Sequence, residues 1–327
     1  MDLWFLDAGP AQRREVADLA DLLERPDGFV WLDIPECDDE AAEVLEKVFR
    51  FHPLAVRDCR QRNQLAKTRV YPDHAFLILH APEPDAQGKI HFLELDQFIG
   101  SRYLVTVHGP TAAAVPEALV RREVLHVAAR IESGRFRPET PFDLSYRITS
   151  AAASRQEALV SALATEISGL EMRVMSDPGR KPEALLEELF TLRHRLLTVR
   201  TMATQGREAY ARMAKLNRLL PEGSGPLVED LVDQFERVRG LADGEEDFLH
   251  GALDIYQSRT ETKMNYAMER LAVLAVVTLP ITALASVYGM NVIVNSRTDF
   301  PHLTVVLIVM ALMSAALLRW AHRQGWW

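Results

Sequence analysis

The chain has 327 residues, of which 48% are hydrophobic and 25% charged, with 37 Lys and Arg against 46 Asp and Glu. The net charge of −9 and the lack of a basic patch interleaved with aromatic residues argue against nucleic acid as a partner. Charged residues are dense up to Arg270 but missing from residues 271–288 and 303–318. A large hydrophilic body with an apolar C-terminal part excludes a plain cytosolic enzyme.

The motifs of common enzymes are also missing. Cys37 and Cys59 are too few for a disulfide framework, and no C-x-x-C or H-E-x-x-H spacing indicates a zinc site. A Gly-rich phosphate loop, a G-x-S-x-G motif and paired catalytic carboxylates are not found either. We therefore predict no catalytic residues and no organic cofactor. The first residues lack the basic and long apolar segments of a signal peptide.

Residues 1–140 predict a cytoplasmic α/β domain. Short runs rich in β-branched and aromatic residues predict five strands, at 3–6, 29–32, 75–80, 91–99 and 103–108. Helical patterns lie between them at 11–23 and 38–51, and Asp38 is expected to cap the second helix. Gln87-Gly88 predicts the turn of a hairpin that joins two of the strands.

Residues 141–226 predict a cytoplasmic helical hairpin. Asp177-Pro178-Gly179 divides this segment into two helices, whose apolar residues at helical spacing include Leu159, Leu163, Ile167 and Leu170. No proline follows between Leu227 and Pro280. Residues 227–288 therefore predict one stalk helix, roughly 90 Å long at 1.5 Å per residue, that continues into the membrane.

Two uncharged runs predict membrane-spanning helices. The first covers residues 271–288, where Pro280 is tolerable because neighbouring helices can satisfy the freed carbonyl. The second covers residues 303–322, and it is long enough only if Arg319 extends its charged group to the interface. A buried helical hairpin in a soluble domain is the alternative, but two uncharged runs so close together favour the membrane.

The positive residues set the expected orientation. Arg259, Lys263 and Arg270 precede the first uncharged run, and Arg319 and Arg323 follow the second, whereas the connecting loop contains only Arg297. The positive-inside rule then places both termini in the cytoplasm. We predict a multi-pass protein of the inner (plasma) membrane in contact with lipid, with an external loop at residues 289–302 and a cytoplasmic tail at 323–327.

One side of the first span has the composition of a pore lining. Its residues recur every three or four positions, and they are Asn265, Met268, Leu271, Leu279, Thr282, Ser286 and Gly289. Met268 and Leu271 would form an apolar constriction that gates by dewetting. One chain supplies two helices, so a pore requires a homo-oligomer with cyclic symmetry. Ordinary helix packing explains the small and polar residues equally well.

The sequence Tyr288-Gly289-Met290-Asn291 follows this span directly. Here the chain resembles the CorA-type family of divalent metal ion (magnesium and cobalt) transporters, whose signature is Gly-Met-Asn, usually after Tyr. The likeness extends through Asn265-x-x-Met268-x-x-Leu271 and Leu279-Pro280-x-Thr282. The sequence His52-Pro53-Leu54 with Asp58 is also similar to the cytoplasmic domain of the family.

This resemblance implies a homopentameric funnel, in which a cytoplasmic α/β domain is joined by long stalk helices to two C-terminal transmembrane helices. It implies passage of Mg²⁺ into the cytoplasm, with Co²⁺ and Ni²⁺ as further candidates, and Met290 as part of the selectivity region. Mg²⁺ dehydrates reluctantly. Neutral oxygens of Asn291 and of the Gly289 backbone can hold the hydrated ion without trapping it. Asn291 as a plain helix cap is the alternative.

The resemblance also implies a regulatory Mg²⁺ site between subunits. Asp58 falls where one partner of that site lies, and Asp230 falls where the other lies. From residue patterns, Asp58 is an ordinary acid in a helical region. Asp230 belongs to a charged run that is usually a solvated helix face. Mg²⁺ between the two carboxylates would stabilise a closed state.

Two other functions stay open from the sequence. A zinc-transporting branch, similar to ZntB, shares the architecture, although the intact Gly-Met-Asn favours magnesium. A two-span sensor or scaffold that does not conduct would use the stripe for packing. The loop after Asn291 also departs from the family pattern, because it contains one acid, Asp299, and one base, Arg297, instead of net negative charge. We therefore expect weak attraction of cations to the outer mouth.

Overall fold

A computed structural model of the chain describes residues 1–110, 115–176, 182–215, 223–289 and 300–323. Contacts between residues divide the chain into two units, Met1–His250 and Gly251–Trp327. The first unit contains a β-sheet and most of the helices, and the second contains two apolar helical segments. The finer six-part division made from the sequence stays a prediction.

Seven strands form one mixed sheet in the first unit. They are β1 (Asp2–Leu6), β2 (Gln12–Arg14), β3 (Phe29–Ile34), β4 (Lys67–Val70), β5 (His74–Pro84), β6 (Ile90–Gly100) and β7 (Tyr103–His108). Their order is β2-β1-β3-β7-β6-β5-β4. β3 and β7 are parallel, with Leu32 opposite Val105, and the other neighbours in the described sheet are antiparallel. The five predicted strands are confirmed, whereas β2 and β4 were not predicted.

The predicted hairpin joins β5 to β6. Asp85 Oδ1 accepts hydrogen bonds from the backbone N–H groups of Gln87 and Lys89, at 3.0 and 2.9 Å. Gly88 has a φ of +80°, a value that glycine adopts without steric cost. Gln87-Gly88 therefore forms the turn that the sequence indicates.

Nine α-helices are described along the chain. They are α1 (Leu19–Glu24), α2 (Asp39–Glu43), α3 (Pro53–Arg60), α4 (Glu117–Val120), α5 (Arg122–Glu132), α6 (Pro141–Ser176), α7 (Pro182–Ala214), α8 (Gly225–Gly289) and α9 (Phe300–Arg323). A 3-10 helix (Val16–Asp18) precedes α1, and a π-helical turn (Val44–Val48) continues α2. Asp38 caps α2 as predicted, since its Oδ1 accepts from Ala41 N at 2.8 Å.

The helix predicted over residues 11–23 is wrong in its first part. Residues Gln12–Arg14 form strand β2, in which Arg13 is paired with Trp4 of β1. The chain reverses between the two strands, and Asp7 Oδ1 accepts from Gly9 N at 2.7 Å there. Pairing with a neighbouring strand decides the conformation of these residues, because their helical pattern is a weak preference that tertiary contacts override.

Helices cover both faces of the sheet. One face contributes Leu3, Val30 and Phe76 to a core shared with α1–α3. The other face contributes Trp31 and Leu77 to a core with α5, α6, α7 and the first part of α8. The first unit is thus a three-layer α/β/α arrangement, and the alternation of side chains along each strand produces its two cores.

The predicted helical segments are confirmed where the structure describes them. Leu163, Ile167 and Leu170 are buried in α6, and Leu159 is partly buried against the same core. The predicted break at 177–179 lies outside the described residues. α8 is continuous from Gly225 through Pro280 to Gly289.

Both predicted spans are found as helices with apolar, solvent-accessible segments. The described helical ranges 225–287 of α8 and 304–323 of α9 each contain an apolar stretch long enough to cross a membrane. Neither apolar window is buried inside the protein, since the buried shares are 0% and 6%. A core hairpin of a soluble domain would instead be covered on most sides, so this alternative is not supported.

Candidate metal transport site

The residues predicted to line a pore lie on one exposed side of α8. Met268, Leu271 and Leu279 leave 60%, 64% and 67% of their surface accessible in the single chain. The other described members of this stripe are exposed as well; they are Asn265, Thr282, Ser286 and Gly289. Large apolar side chains at this exposure require lipid or another protein surface to cover them.

The opposite side of α8 is partly covered. At 3.6 residues per turn, Val273, Val277 and Leu284 point away from the stripe, and all three are half-buried. α9 has a matching half-buried series, which consists of Val306, Met310, Met313 and Leu317 and is followed by the buried Ala321. Side-by-side packing of the two apolar helices accounts for both patterns. The pore stripe stays available to another chain.

Pro280 interrupts the hydrogen bonding of α8 without ending the helix. It has no backbone N–H, so the carbonyl of Val276 loses its usual partner. Nearby, Thr278 Oγ1 donates to Leu274 O at 2.7 Å, and Thr282 Oγ1 donates to Thr278 O at 2.8 Å. A hydroxyl that donates to its own helix keeps its lone pairs free. Thr282 therefore presents an oxygen acceptor on the stripe.

The end of α8 coincides with the start of the Gly-Met-Asn signature. Gly289 is the last helical residue, and none of the described atoms lies within 4 Å of the place where a Cβ would stand. Met290 and Asn291 lie outside the described residues. Their part in a selectivity ring, together with the Gly289 carbonyl, stays a prediction.

α3 positions the predicted regulatory residue Asp58. Pro53 occupies the first turn, and His52 Nδ1 accepts from Leu54 N at 3.1 Å, so His-Pro-Leu begins this helix. Asp58 lies two residues before the last residue of α3 and leaves 5% of its surface exposed.

Two basic residues neutralise Asp58. Its Oδ2 lies 3.1 Å from Arg69 Nη1 and 3.5 Å from Lys67 Nζ, and both residues belong to β4. Strand β4, which brings these cations to Asp58, was not predicted from the sequence. A metal ion at this carboxylate has to compete with both ion pairs.

Asp230 lies in the second turn of α8 and is half-buried. Its Oδ2 accepts from the Tyr146 hydroxyl at 2.8 Å and from Gln234 Nε2 at 2.5 Å. Burial, and then the hydrogen bond to Asp230, raise the pKa of Tyr146. In the described part of the chain these hydrogen bonds leave Oδ1 of Asp230 free to bind a cation.

The single chain does not join Asp58 and Asp230. They share no hydrogen-bond or ion-pair partner among the described residues. Nor do three or more His, Cys, Asp or Glu side chains come together as metal ligands within the described ranges. A site between neighbouring subunits, as the resemblance implies, requires a second copy.

Beside Asp58 lies a polar network that sequence analysis did not predict. Asn63 Nδ2 donates to the Asp58 carbonyl at 2.8 Å and to Glu94 Oε1 at 2.7 Å, while Asn63 N donates to Glu94 Oε2 at 2.6 Å. Asn63 Oδ1 accepts from Lys67 Nζ at 2.8 Å. One amide side chain thus links the candidate regulatory acid, its counter-ion and the buried Glu94.

Asp96 lies two residues further along β6 and is completely buried. No described residue makes a well-formed hydrogen bond to either of its carboxylate oxygens. Burial, and then the negative charge of Glu94, raise the pKa of Asp96 well above its ordinary value. The neutral, protonated acid is therefore favoured at this position.

An α/β body that continues through one long helix into exposed apolar helices defines a membrane protein with two spans per chain. The sequence model of the family described as "CorA-like Mg2+ transporter protein" matches residues 26–323. The chain belongs to this family, and the resemblance stated from the sequence is confirmed.

Two curated relatives match over most of their length. YfjQ of Bacillus subtilis, a candidate metal ion transporter, is 25% identical over 307 residues, which cover 93% of this chain and 92% of that protein. The cobalt/magnesium transport protein CorA of Thermotoga maritima is 23% identical over 294 residues, which cover 87% of this chain and 80% of that protein.

Solved structures show the same fold. The complete CorA magnesium transporter of Methanocaldococcus jannaschii superposes with a TM-score of 0.82 at 16% identity, and the match covers 100% of this chain and 99% of that one. The ZntB cytoplasmic domain of Vibrio parahaemolyticus has a TM-score of 0.63 at 10% identity, covering 80% and 98%. The predicted fold class, an α/β domain with a long helix and two C-terminal apolar helices, is confirmed. Membership of the family makes the chain a CorA-like divalent cation transporter.

Proposed function

We propose that the chain forms a homo-oligomeric channel that carries Mg²⁺ into the cytoplasm and that intracellular divalent cations close it. Co²⁺ and Ni²⁺ are further candidate cargo. The observation that carries this proposal is the exposed stripe on α8 opposite the half-buried face. Helix packing within one chain uses the other side, so the stripe with Met268, Leu271 and Thr282 is available to line an axis between copies.

Several copies are needed because two helices cannot enclose a pore. The family likeness supports five copies, with both termini in the cytoplasm and the spans in the inner membrane. A membrane potential supplies about 2.3 kcal/mol per charge per 100 mV, or about twice that for a divalent cation. This driving force is sufficient for passive entry, and no site for an energy-supplying cofactor is required.

Selectivity is assigned to the ring of Gly289, Met290 and Asn291 at the end of α8. Amide and carbonyl oxygens hydrogen-bond the water shell of Mg²⁺ without replacing it, which suits an ion that dehydrates reluctantly. Ser286 and Thr282 continue the polar lining into the span. Leu279, Leu271 and Met268 then form the apolar section in which dewetting closes the path.

Closure is assigned to a metal ion held between Asp58 of one copy and Asp230 of the next. The free Oδ1 of Asp230 supports this assignment, since it can accept a metal without loss of the hydrogen bonds to Oδ2. At Asp58, Lys67 and Arg69 compensate the carboxylate when the metal leaves. These two cations weaken metal affinity and so set the concentration at which the channel closes.

Ion flux into liposomes tests the proposal. Wild-type protein is expected to conduct Mg²⁺ in response to an imposed potential, and Asn291→Ala is expected to reduce that flux by at least tenfold. Asn295→Ala is the matched control, because it removes an amide from the same loop outside the signature. Equal and negligible flux in wild type and Asn291→Ala would instead indicate a non-conducting sensor or scaffold.

A Zn²⁺ transporter is the second candidate, since the ZntB cytoplasmic domain shares the fold of the first unit. The same liposomes distinguish it. Zn²⁺ flux that depends on a proton gradient and exceeds Mg²⁺ flux would replace magnesium with zinc as the cargo.

A further inference from the structure

A basic cleft lies between α5 and α6 in the first unit. It has a volume of about 510 Å³, within the usual range for small-molecule sites. Its charged and polar lining consists of Arg122, Glu123, His126 and Arg130 on α5 with Arg147, Ser150, Ser154 and Arg155 on α6. Four arginines therefore converge on one cleft in a chain whose net charge is −9.

The polar side chains of the cleft lie on the sides of α5 and α6 that face each other. Arg122, His126 and Arg130 are separated by four residues each, so they form one row along α5. The two arginines of this row line the same cleft, which favours the binding of an anion.

Two carboxylates near the cleft already form ion pairs with its arginines. Arg155 donates from Nη1 to Glu123 Oε1 at 2.8 Å and from Nη2 to Glu83. Arg122 lies 3.8 Å from the same Glu83. These contacts hold Arg155 in place at the end of the cleft, and they leave the acids little capacity for further cations.

Arg130 and Arg147 have no such partner. Within the described residues neither guanidinium forms an ion pair with a carboxylate, although the charge of Arg147 acts on Asp143 one turn earlier. The Arg147 guanidinium packs over the rings of Phe136 and Tyr146, with its Cζ 5.1 and 5.6 Å from their centres. Its Nε is buried without a hydrogen-bond partner. A buried N–H of this kind is costly unless a ligand accepts from it.

We propose that this cleft binds a phosphate-bearing anion of about nucleotide size. Guanidinium groups bind phosphate through two parallel hydrogen bonds, and Arg130 and Arg147 are placed to supply them from opposite walls. Ser154 adds a hydroxyl donor, and His126 adds a ring N–H. Val127 and Ala151 provide an apolar surface beside the charges for the rest of the ligand.

Calorimetric titration of the full-length chain tests this site directly. The protein is purified in neutral detergent and freed of divalent cations on a chelating resin, then titrated with sodium ATP and sodium pyrophosphate. The double variant Arg130→Gln/Arg147→Gln is expected to weaken binding by at least tenfold. Arg212→Gln is the matched control, since this arginine lies on α7 with 68% of its side chain exposed.

A second pair of variants guards against misfolding of the double variant. Ser154→Asp places a negative charge in the cleft and is expected to weaken binding severalfold, whereas Ser154→Ala is expected to change it little. If wild type binds none of the probes, or if Ser154→Asp and Arg130→Gln/Arg147→Gln bind as tightly as wild type, the proposal is overturned.

The phosphate can belong to a soluble ligand or to a lipid headgroup. Titration with dihexanoyl phosphatidylglycerol against dihexanoyl phosphatidylcholine separates these sources. Heat from ATP or pyrophosphate supports a soluble ligand, and heat from the anionic lipid with none from the soluble probes supports a lipid. Because the readout is binding, failure here leaves the transport proposal unaffected.

Discussion

Gly206 of α7 lies against the ring of Phe235 of α8, so closely that a Cβ at Gly206 would stand 2.8 Å from Phe235 Cε1. Phe235 is buried and stacks on Tyr210 with their ring centres 6.2 Å apart. The absence of a side chain at position 206 thus allows α7 and the first half of α8 to approach each other.

We predict that Gly206→Ala lowers the free energy of unfolding by about 1–3 kcal/mol, the usual cost of overpacking a core. Gly240→Ala in α8 is the matched control, because no atom lies within 4 Å of its would-be Cβ. It is expected to stabilise the helix by roughly 1 kcal/mol, since alanine is the better helix former. Thermal unfolding measured by circular dichroism checks both. A Gly206→Ala chain as stable as wild type would contradict the close approach.

A second prediction concerns the buried Asp33. Its Oδ2 accepts from Arg121 Nε at 2.9 Å, and its Oδ1 accepts from Thr106 Oγ1 at 2.5 Å and from His108 Nε2 at 3.0 Å. Burial opposes ionisation, but His108 and Arg121 more than offset it and hold the pKa of Asp33 below its ordinary value. Asp33 is therefore a buried anion that depends on its partners.

Arg121→Met should lower the free energy of unfolding by about 3–5 kcal/mol, because it leaves a buried carboxylate without its cation. The neighbouring Arg122→Met should cost less than about 1 kcal/mol, since Arg122 has half its side chain exposed and a weak ion pair. Chemical denaturation checks the difference. Equal effects of the two variants would show that the buried pair contributes no more than a surface one.

A third prediction is a pH dependence from Asp96. The pKa of Asp96 is higher in the folded chain, so the folded state binds a proton that the unfolded state releases. The free energy of unfolding therefore falls as pH rises from the ordinary pKa of Asp toward the pKa in the folded chain. Each pKa unit corresponds to about 1.4 kcal/mol. Asp96→Asn cannot titrate, so its unfolding temperature should rise relative to wild type as pH increases from 5 to 8. Asp39→Asn, which removes a carboxylate from an exposed side chain, is the matched control.

A fourth prediction separates the pore stripe from the rest of α8. Leu279→Ser should raise Mg²⁺ flux in the resting state severalfold, because a hydroxyl wets the apolar section of the proposed path. Leu274→Ser is the matched control, since Leu274 is similarly exposed, at 59% against 67%, but points to another side of the helix. Liposome flux at high internal Mg²⁺ measures both. Equal flux from the two variants would place the path elsewhere.

A fifth prediction concerns closure. Lys67→Met removes one competitor for Asp58 and should lower the Mg²⁺ concentration that halves the flux by roughly two- to fivefold, the range expected for a partly exposed ion pair. Asp58→Asn should abolish inhibition. Lys89→Met, in the β5–β6 hairpin, is the control. Unchanged inhibition in Asp58→Asn would remove this residue from the regulatory site.

Features that depend on neighbouring residues could be predicted from the sequence. The strands rich in β-branched residues, the Asp38 cap, the turn at Gly88 and the two uncharged runs are each set by neighbouring residues. The family also follows from a local motif with its context. The stripe on α8 could be located by periodicity, but which side of that helix is covered depends on contacts with a second element.

Features that depend on distant residues were missed. Gln12–Arg14 contains no strong strand former and becomes β2 through pairing with β1. Lys67 and Arg69 reach Asp58 because β4 joins the edge of the sheet. Asp96 is buried because helices cover its strand, and the sequence of that strand does not indicate this cover. The sequence shows that Arg122, His126 and Arg130 are spaced four residues apart. That they line a cleft depends on α6, which the sequence does not place beside them.

Strand β2 has a consequence for assembly. It is an outer strand of the sheet, and its residues Gln12, Arg13 and Arg14 all have polar side chains, with Arg14 exposed. Cationic side chains on an outer strand discourage the edge-to-edge joining of sheets from separate molecules. Copies of this chain are therefore steered away from open-ended fibrous aggregates that join through β2.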